Sequence, residues 1–368
     1  MKDTEYMKLA IELAKKGYGK VSPNPIAGAV IVKDGEIIAQ GYHEKYGGLH
    51  AERNALLSCT KSPKGATMYV TLEPCCHYGK QPPCTDAIIE AEISRVVIGV
   101  RDPNPLVAGK GIEKLKKNGI SVTENVLEEE CRSCNEAFMH YIQTGLPFVT
   151  LKYAMSLDGK IACFTGESKW ITGEIARSHV HQLRNRYSSI MVGIGTVLSD
   201  DPLLTCRAEN GRNPIRIICD SRLRIPVSSQ IVQTAKEVPT IIATCSEDEE
   251  KARLLAEKGC SLIFQKTEKK SINLPALIKT LGKQGIDSIL IEGGGSLSWS
   301  AIESGIVNSV KAYIAPLLIG GSSSKTPIEG MGFATPDLGV HLKNPIITKL
   351  GIDYLIESEV DNYVHRDN

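Results

Sequence analysis

Four residues in the first hundred have the types and spacing for metal-assisted hydrolysis. His50-Ala51-Glu52 stands where an apolar helical pattern begins, Pro74-Cys75 follows a short apolar run, and Cys84 comes after eight further residues. One imidazole and two thiolates make three protein ligands, the stoichiometry of a catalytic zinc site with an open fourth position rather than of a closed structural one. The open position takes a water whose pKa the metal lowers towards neutrality. Glu52, two residues past His50, can reach that water without ligating the metal, which suits it to carry protons between the water and the departing group. Cys76 and His77 adjoin Cys75 and are rival ligands on spacing alone. Three of the chain's 11 cysteines fall in this short stretch, unlike the scatter of the rest. Cys131-Arg132-Ser133-Cys134 also has metal-like spacing, but no second pair or histidine motif flanks it, and it reads as helix.

These groups must be held by the elements around them. Met7, Ala10, Ile11 and Ala14 recur at helical spacing behind Asp3 and Thr4 as caps, so the chain opens with an amphipathic helix ending near Gly17. Ser22-Pro23-Asn24-Pro25 comes next as a loop. Ala29–Val32 and Glu36–Ala39 flank Asp34-Gly35, a hairpin signal. Strands are expected at Thr67–Leu72 and Arg95–Val100 and a helix at Thr85–Ala91, an alternation that makes the first part an α/β layer fold. The pattern pauses at Gln143–Pro147, which places the domain boundary there, with domains 1–145 and 146–368. The second part is also α/β, with an open sheet. Its strands are expected near 189–194, 215–219, 239–244, 261–264, 287–291, 310–318 and 346–358, and its helices near 174–187, 249–258, 274–284 and 296–304.

His-x-Glu followed by Pro-Cys-x-x-Cys is the signature of zinc nucleobase deaminases. The chain matches its first half and departs in the second, because the partner cysteine is displaced along Pro74-Cys75-Cys76-His77-Tyr78-Gly79-Lys80-Gln81-Pro82-Pro83-Cys84. That expanded spacing, with Asn24, His43, Lys80, Asp102-Pro103-Asn104-Pro105 and Gly109-Lys110-Gly111, resembles the deaminase half of the bifunctional riboflavin-biosynthesis deaminase/reductase family over about residues 1–145. The resemblance implies a cytidine-deaminase-like α/β/α domain with zinc on His50, Cys75 and Cys84. It prefers Cys84 to Cys76 or His77, as does a Pro-Pro-Cys helix start, whose dipole favours thiolate. It also implies Glu52 as the catalytic proton carrier and substrate contacts from Asn24, His43, Lys80, Asp102 and Asn104.

Leu151–Ala162 reads by itself only as a strand, a turn and a short strand. Together with Gly166–Thr172, Gly193–Pro202 and Ile291–Ser296 it resembles the reductase half of the same family over about 148–358, which implies a dihydrofolate-reductase-like α/β domain using NADPH. The resemblance implies NADPH contacts from Ala154, Trp170, Thr196, Asp200, Ser221 and Gly294, Gly295, Ser296 and Leu297. Lys152, Ser168, Arg184, Leu204, Arg207 and Glu292 are the implied substrate contacts. Glu292–Ser296 follows an apolar strand and opens a helix, so bare N–H groups and the helix dipole can hold a cofactor phosphate; a tight strand-to-helix turn would use the same glycines. No Gly-x-Gly-x-x-Gly with an acid some twenty residues on is present, which argues against a Rossmann site. Arg184 and Arg207 suit a phosphate monoester, which a guanidinium grips with two parallel hydrogen bonds, although most arginines serve in surface salt bridges. Lys152 carries the same two readings, and Trp170 could equally be a core aromatic. His179 and His181 point to different helix faces and make poor joint ligands. Glu247-Asp248-Glu249-Glu250 reads as favourable charge at a helix start.

Composition narrows the class. The 368 residues carry a formal charge of +1 and 5% aromatics, which supplies neither a phosphate-tracking surface nor a stacking platform for nucleic acid. No run approaches the ~18 apolar residues of a membrane span. The diluted cysteines read as reduced thiols of a cytoplasmic protein. The expected partner is therefore a small phosphorylated pyrimidine, not nucleic acid or membrane, and the size leaves a homo-oligomer open. The expected activity is hydrolysis of the 2-amino group of 2,5-diamino-6-ribosylamino-4(3H)-pyrimidinone 5′-phosphate, then NADPH-dependent reduction of its ribosyl group. Two rivals are a tRNA or nucleoside deaminase with an appended binding domain, and a zinc-stabilised binding protein with an inactive second half.

Overall fold

Runs such as Ala29-Val30-Ile31-Val32 and Val96-Val97-Ile98 are apolar at every position, so a sheet built from them must be covered on both faces. The computed structural model contains two such sheets. It describes residues 1–104, 107–268 and 270–361, and the chain divides into two units, Met1–Gly145 and Leu146–Asn368. Pro105 of the sequence motif lies outside the described residues.

In the first unit, α1 (Asp3–Lys15) precedes the hairpin of β1 (Gly28–Lys33) and β2 (Glu36–Tyr42). Asp34 and Gly35 have φ of 51° and 80°, the two-residue turn that matches strand twist. Beyond it come α2 (Ala51–Leu57), β3 (Thr67–Leu72), α3 (Cys84–Glu90), β4 (Arg95–Val100), α4 (Lys110–Lys117), β5 (Ser121–Thr123), α5 (Glu128–Cys134) and α6 (Glu136–Thr144). The sheet order is β2-β1-β3-β4-β5, with β3, β4 and β5 parallel. Alternate residues face opposite layers. Ala29, Ile31, Met68, Val70 and Ile98 meet Ala55, Ile88 and Leu115 of α2, α3 and α4, whereas Val30, Tyr69 and Val97 meet Met7 and Ile11 of α1 and Cys131 of α5. This is the anticipated α/β/α sandwich. A side chain at Gly28 would collide with the Ala10 carbonyl, so glycine lets α1 lie directly on β1.

The anticipated caps are corrected: Lys2 is the N-cap residue of α1. Asp3 instead pairs with Arg95 on β4 at 2.6 Å and accepts from the Tyr69 hydroxyl at 2.8 Å. Cys131, in α5, packs beneath Gly99, where a side chain would strike its sulfur, and among the described residues it joins no group of metal donors.

The second unit contains β6 (Phe148–Ser156), α7 (Glu174–Arg186), β7 (Ser189–Gly193), α8 (Ile194–Asp200), β8 (Ile215–Cys219), α9 (Gln230–Gln233) and β9 (Thr240–Thr244). It continues with α10 (Glu249–Glu257), β10 (Cys260–Phe264), α11 (Leu274–Lys283), β11 (Ser288–Ile291), α12 (Gly295–Glu303), β12 (Ser309–Ala315), β13 (Leu342–Leu350) and β14 (Asp353–Val360). One open sheet runs β10-β9-β8-β7-β11-β6-β12-β14-β13, parallel as far as β12. Its two faces are again covered, by α11 and α12 over Val149, Met191 and Ile289 and by Val197, Ile231 and Leu255 over Ile190, Ile218 and Ile242. The acidic run does open a helix, with Asp248 accepting from the Lys251 N–H at 2.9 Å.

Three strand expectations are corrected. The run near 346–358 is two antiparallel strands, because Gly351, at φ 66°, reverses the chain between them. The strand near 310–318 stops at Ala315, since Pro316 has no N–H to continue the ladder. The short strand expected directly after the Asp158-Gly159 turn, up to Ala162, is not formed. The Asp158 carboxylate accepts the N–H groups of Ile319 and Gly320 at 3.1 and 2.6 Å, so the turn binds that loop rather than a hairpin partner.

Candidate active sites

Helix starts and a strand end converge on the first site. His50 is the N-cap residue of α2, Cys84 the first residue of α3, and Cys75 lies three residues beyond β3. Their ligand atoms all lie within 4.8 Å of one another, and His50 Nδ1 is 3.5 Å from each sulfur. A tetrahedral ion with bonds of about 2.3 Å to sulfur and 2.0–2.1 Å to nitrogen separates adjacent N and S donors by about 3.6 Å, so the set fits zinc. Cys76 and His77 stand outside it, and among the described residues this is the one such cluster. The Cys84 N–H donates to Cys75 Sγ at 3.3 Å, and hydrogen bonds from Cys84 and His50 outweigh burial to push the Cys75 thiol down.

Glu52 is 4% exposed in the first turn of α2. Burial, reinforced by the Cys75 charge, pushes its carboxyl up to about 7, where it can both take and release a proton near neutral pH. A cavity of about 330 Å³ opens beside it and brings together Asn24, His43, Lys80, Asp102 and Asn104 with His50 and Cys75. His43 Nδ1 lies 2.9 Å from the Leu49 carbonyl and must donate there, which leaves Nε2 as an acceptor 3.4 Å from the Asn24 amide. Burial pushes His43 down and keeps it neutral. Lys80 sits 3.9 Å over the Tyr46 ring, and Gln81 Nε2 donates to the Gly47 carbonyl at 2.9 Å, so two loops support each other at the mouth. Burial pushes Asp102 up to about 6, and its Oδ1 accepts the Asn104 N–H at 2.8 Å.

Sequence reasoning missed part of this wall. Phe138, Tyr141 and Ile142 of α6 line the cavity, as does Glu73. Their i, i+3, i+4 spacing reads as an ordinary buried helix face, so no local signal distinguishes them. Glu73 could have been noticed as an acid between an apolar strand and a metal loop.

The second constellation lies beyond the carboxyl ends of parallel strands, where open α/β sheets bind ligands. Glu292 follows β11, Ser221 follows β8, Thr196 follows β7, and Ala154 is near the end of β6. Arg184 of α7 grips Glu292, with Nε to Oε1 at 2.9 Å and Nη2 to Oε2 at 3.1 Å, and Lys152 reaches the same carboxylate at 3.4 Å. Burial pushes Glu292 up, but Arg184 and Lys152 together outweigh it and hold the carboxyl at about 2. The guanidinium grip anticipated for a phosphate is thus, at Arg184, a grip on a carboxylate, and neither cation is a surface salt bridge. Arg207 is exposed, with Nε 3.1 Å from His181 Nε2, while His179 meets the Tyr313 hydroxyl at 2.7 Å, so the two histidines do face apart.

Trp170 is 65% exposed and is no core aromatic; the Arg177 guanidinium lies 4.6 Å from its ring. Ser168 and Asp200 line one surface depression of about 340 Å³. Leu204 is buried at φ 53°, a costly backbone for leucine. The glycine run divides in two. Gly293 and Gly295 are closed off by Leu297 and Glu329, whose carboxylate also accepts the Ser296 hydroxyl at 3.1 Å. Gly294, the N-cap residue of α12 at φ −74°, has nothing within 4 Å of where a Cβ would stand. Neither backbone nor packing demands glycine there, so the bare helix start fits a cofactor phosphate.

Comparison with known proteins matches both halves. The family described as cytidine and deoxycytidylate deaminase zinc-binding region covers residues 1–100, and the RibD C-terminal domain covers 147–356. Riboflavin biosynthesis protein RibD of Actinobacillus pleuropneumoniae is 54% identical over 357 residues, spanning 97% of this chain and 95% of its own. Among solved structures, Acinetobacter baumannii RibD, form 1, aligns with a TM-score of 0.85 and 37% identity over 98% of this chain and 99% of its own. A diaminohydroxyphosphoribosylaminopyrimidine deaminase/5-amino-6-(5-phosphoribosylamino)uracil reductase from Thermotoga maritima aligns with a TM-score of 0.84 and 40% identity over the same shares.

Proposed function

The chain belongs to the RibD family of riboflavin-biosynthesis enzymes, a deaminase joined to a reductase, and from that premise we propose how its two units divide the work. Met1–Gly145 removes the 2-amino group of 2,5-diamino-6-ribosylamino-4(3H)-pyrimidinone 5′-phosphate by hydrolysis, releasing ammonia. The remainder reduces the ribosyl group of the product, giving 5-amino-6-ribitylamino-uracil 5′-phosphate.

The observation that carries the first step is a buried carboxyl, Glu52, beside three donors at zinc-like separations on the wall of a cavity of about 330 Å³. His50, Cys75 and Cys84 would hold the zinc ion, which would supply a Lewis acid able to make water nucleophilic near neutral pH. Glu52 would take one proton from the attacking water and give it to the ring nitrogen, then take the water's second proton and give it to the leaving amine, which departs as ammonia. His43 Nε2 accepts one N–H of the Asn24 amide and so holds Asn24, whose second N–H and carbonyl oxygen can orient the ring. Lys80 offers the phosphate a charge at the cavity mouth, and Asp102 and Asn104 line the same cavity.

In the second unit, bound NADPH would supply the hydride. The chain's part is to hold both reactants. Gly294 to Leu297, Ala154, Trp170, Thr196, Asp200 and Ser221 take the cofactor, and Ser168, Leu204, Arg207 and the Lys152, Arg184 and Glu292 group take the substrate. Glu292, kept ionised, can accept hydrogen bonds from ribosyl hydroxyls. The same reading proposes a cytoplasmic enzyme of small molecules; among the described residues no helix is long and apolar enough to cross a membrane, and none of the 11 cysteines is in a disulfide.

Mass spectrometry of the product, with and without NADPH, tests the reading. Exchange of amine for oxygen without NADPH, and a further gain of two hydrogens only with it, is the expected result. Exchange alone would make the second unit inactive on this compound. No change in zinc-replete protein would overturn the substrate and favour a nucleoside deaminase.

A further inference from the structure

Glu73 is 3% exposed, stands at the end of β3, and precedes Cys75 by two residues. Its Oε2 accepts the N–H groups of Gly109 and Asp102 at 3.0 and 3.4 Å. Its Oε1 accepts those of Gly111 and Ile112 at 3.0 and 3.2 Å. Both oxygens are thus engaged by main-chain donors. Four such contacts offset the cost of burying a carboxylate, because charge-assisted hydrogen bonds to backbone N–H groups are among the stronger ones.

The partners matter more than their number. Gly111 and Ile112 belong to the first turn of α4, which has no side-chain cap of its own, so Glu73 satisfies its free N–H groups and meets its positive end. Asp102 and Gly109 bracket the stretch that carries Asn104. Asp102 in turn accepts the Asn104 N–H at 2.8 Å. On the other side Glu73 is joined through Pro74 to the ligand Cys75. A side chain at Gly111 would collide with the Pro74 carbonyl, so the start of α4 rests on the same dipeptide and only glycine allows it.

We infer that Glu73 is a positioning residue of the deaminase site: its single carboxylate ties the segment bearing Asp102 and Asn104 to the strand end bearing Cys75, and so sets the distance between substrate contacts and metal. The inference deepens the deaminase reading and rests on it. Glu73 acts through these groups rather than on the reacting atoms, since its oxygens are already taken.

Glu73→Gln keeps the size of the side chain and replaces one acceptor oxygen with an amide that faces two N–H donors. The expected result has three parts. Zinc stoichiometry stays at the wild-type value, amide hydrogen exchange at Asp102, Gly109, Gly111 and Ile112 accelerates, and the KM for deamination rises about tenfold or more while kcat changes less. Gly111→Ala presses on the same clamp from the other side and should raise KM in the same direction. A residue that merely stabilised the fold would lower the unfolding midpoint and leave KM alone, and that outcome overturns the inference. So does loss of zinc, which would make Glu73 part of the metal site's construction. If the wild-type chain releases no ammonia, the deaminase reading fails by itself. The exchange measurement then decides the clamp, and unchanged protection at Gly109 and Gly111 overturns it.

Discussion

Arg184 and Glu292 meet as a fork, two parallel N–H···O contacts of 2.9 and 3.1 Å between side chains only 16% and 8% exposed. Lys152 approaches the same carboxylate, so one acid holds two buried cations in place. Removing the acid leaves those cations facing each other without compensation. Glu292→Gln should therefore destabilise the second unit by about 3–5 kcal/mol, measured as a shift in urea unfolding. A loss below about 1 kcal/mol would show that solvent already screens the group.

The same carboxyl sets a pH dependence. Burial raises it, Arg184 and Lys152 outweigh burial, and the folded value is about 2 against an ordinary 4.5. A depressed folded value means stabilisation that is complete above the ordinary value and is lost as pH falls from there towards 2. Wild-type stability should drop across that window by on the order of 3 kcal/mol more than that of Glu292→Gln. Parallel curves for the two proteins would contradict the ion pair.

Glu52→Gln should retain zinc, because Glu52 is not among the ligand atoms, and should lose ammonia release by at least about a hundredfold. Metal analysis and an ammonia assay on one sample check both halves. Near-normal deamination would end the proton-carrying role.

Chelation separates the two activities. The donor cluster lies wholly within Met1–Gly145, whereas the glycine turn and the Arg184–Glu292 pair lie beyond it. Stripping zinc should abolish ammonia release and leave NADPH-dependent reduction of already deaminated substrate, and added zinc should restore the first. Loss of both would assign the ion a wider structural role.

Lys80 is exposed and braced over Tyr46 at 3.9 Å. Lys80→Ala should raise the KM for deamination about tenfold with little change in kcat, the pattern of a binding contact. A fall in kcat with KM unchanged would move Lys80 from the phosphate to the chemistry.

Local chemistry is legible in the order of residues. Strands β3 and β4 begin and end where the apolar runs do, the Asp34-Gly35 turn joins the strands it should, and His50, Cys75 and Cys84 form the cluster found, with Glu52 on the wall of the adjoining cavity. The strands and the turn depend on neighbours within a few residues, through side-chain periodicity and a backbone that accepts positive φ, whereas the ligand set is legible as a motif whose members stand up to 34 positions apart. Asp3 reads as a cap because its near neighbours in sequence form a helix, but its partner Arg95 is on β4, far along the chain. The run at 346–358 reads as one strand because a lone glycine marks a bulge or a turn alike.

The donor set, most of the elements and, through the motifs, the family are therefore written into residue order alone. Tertiary structure decided which charges meet. Glu292 finds Arg184 across 108 positions of sequence, and Glu73 finds Gly109 across 36. It also decided which glycine is open and which is packed, and that α6 walls the cavity. The physical reason is that a charge's pairing and burial depend on distances set by the packing of whole layers, whereas periodicity and turn preference act within one element.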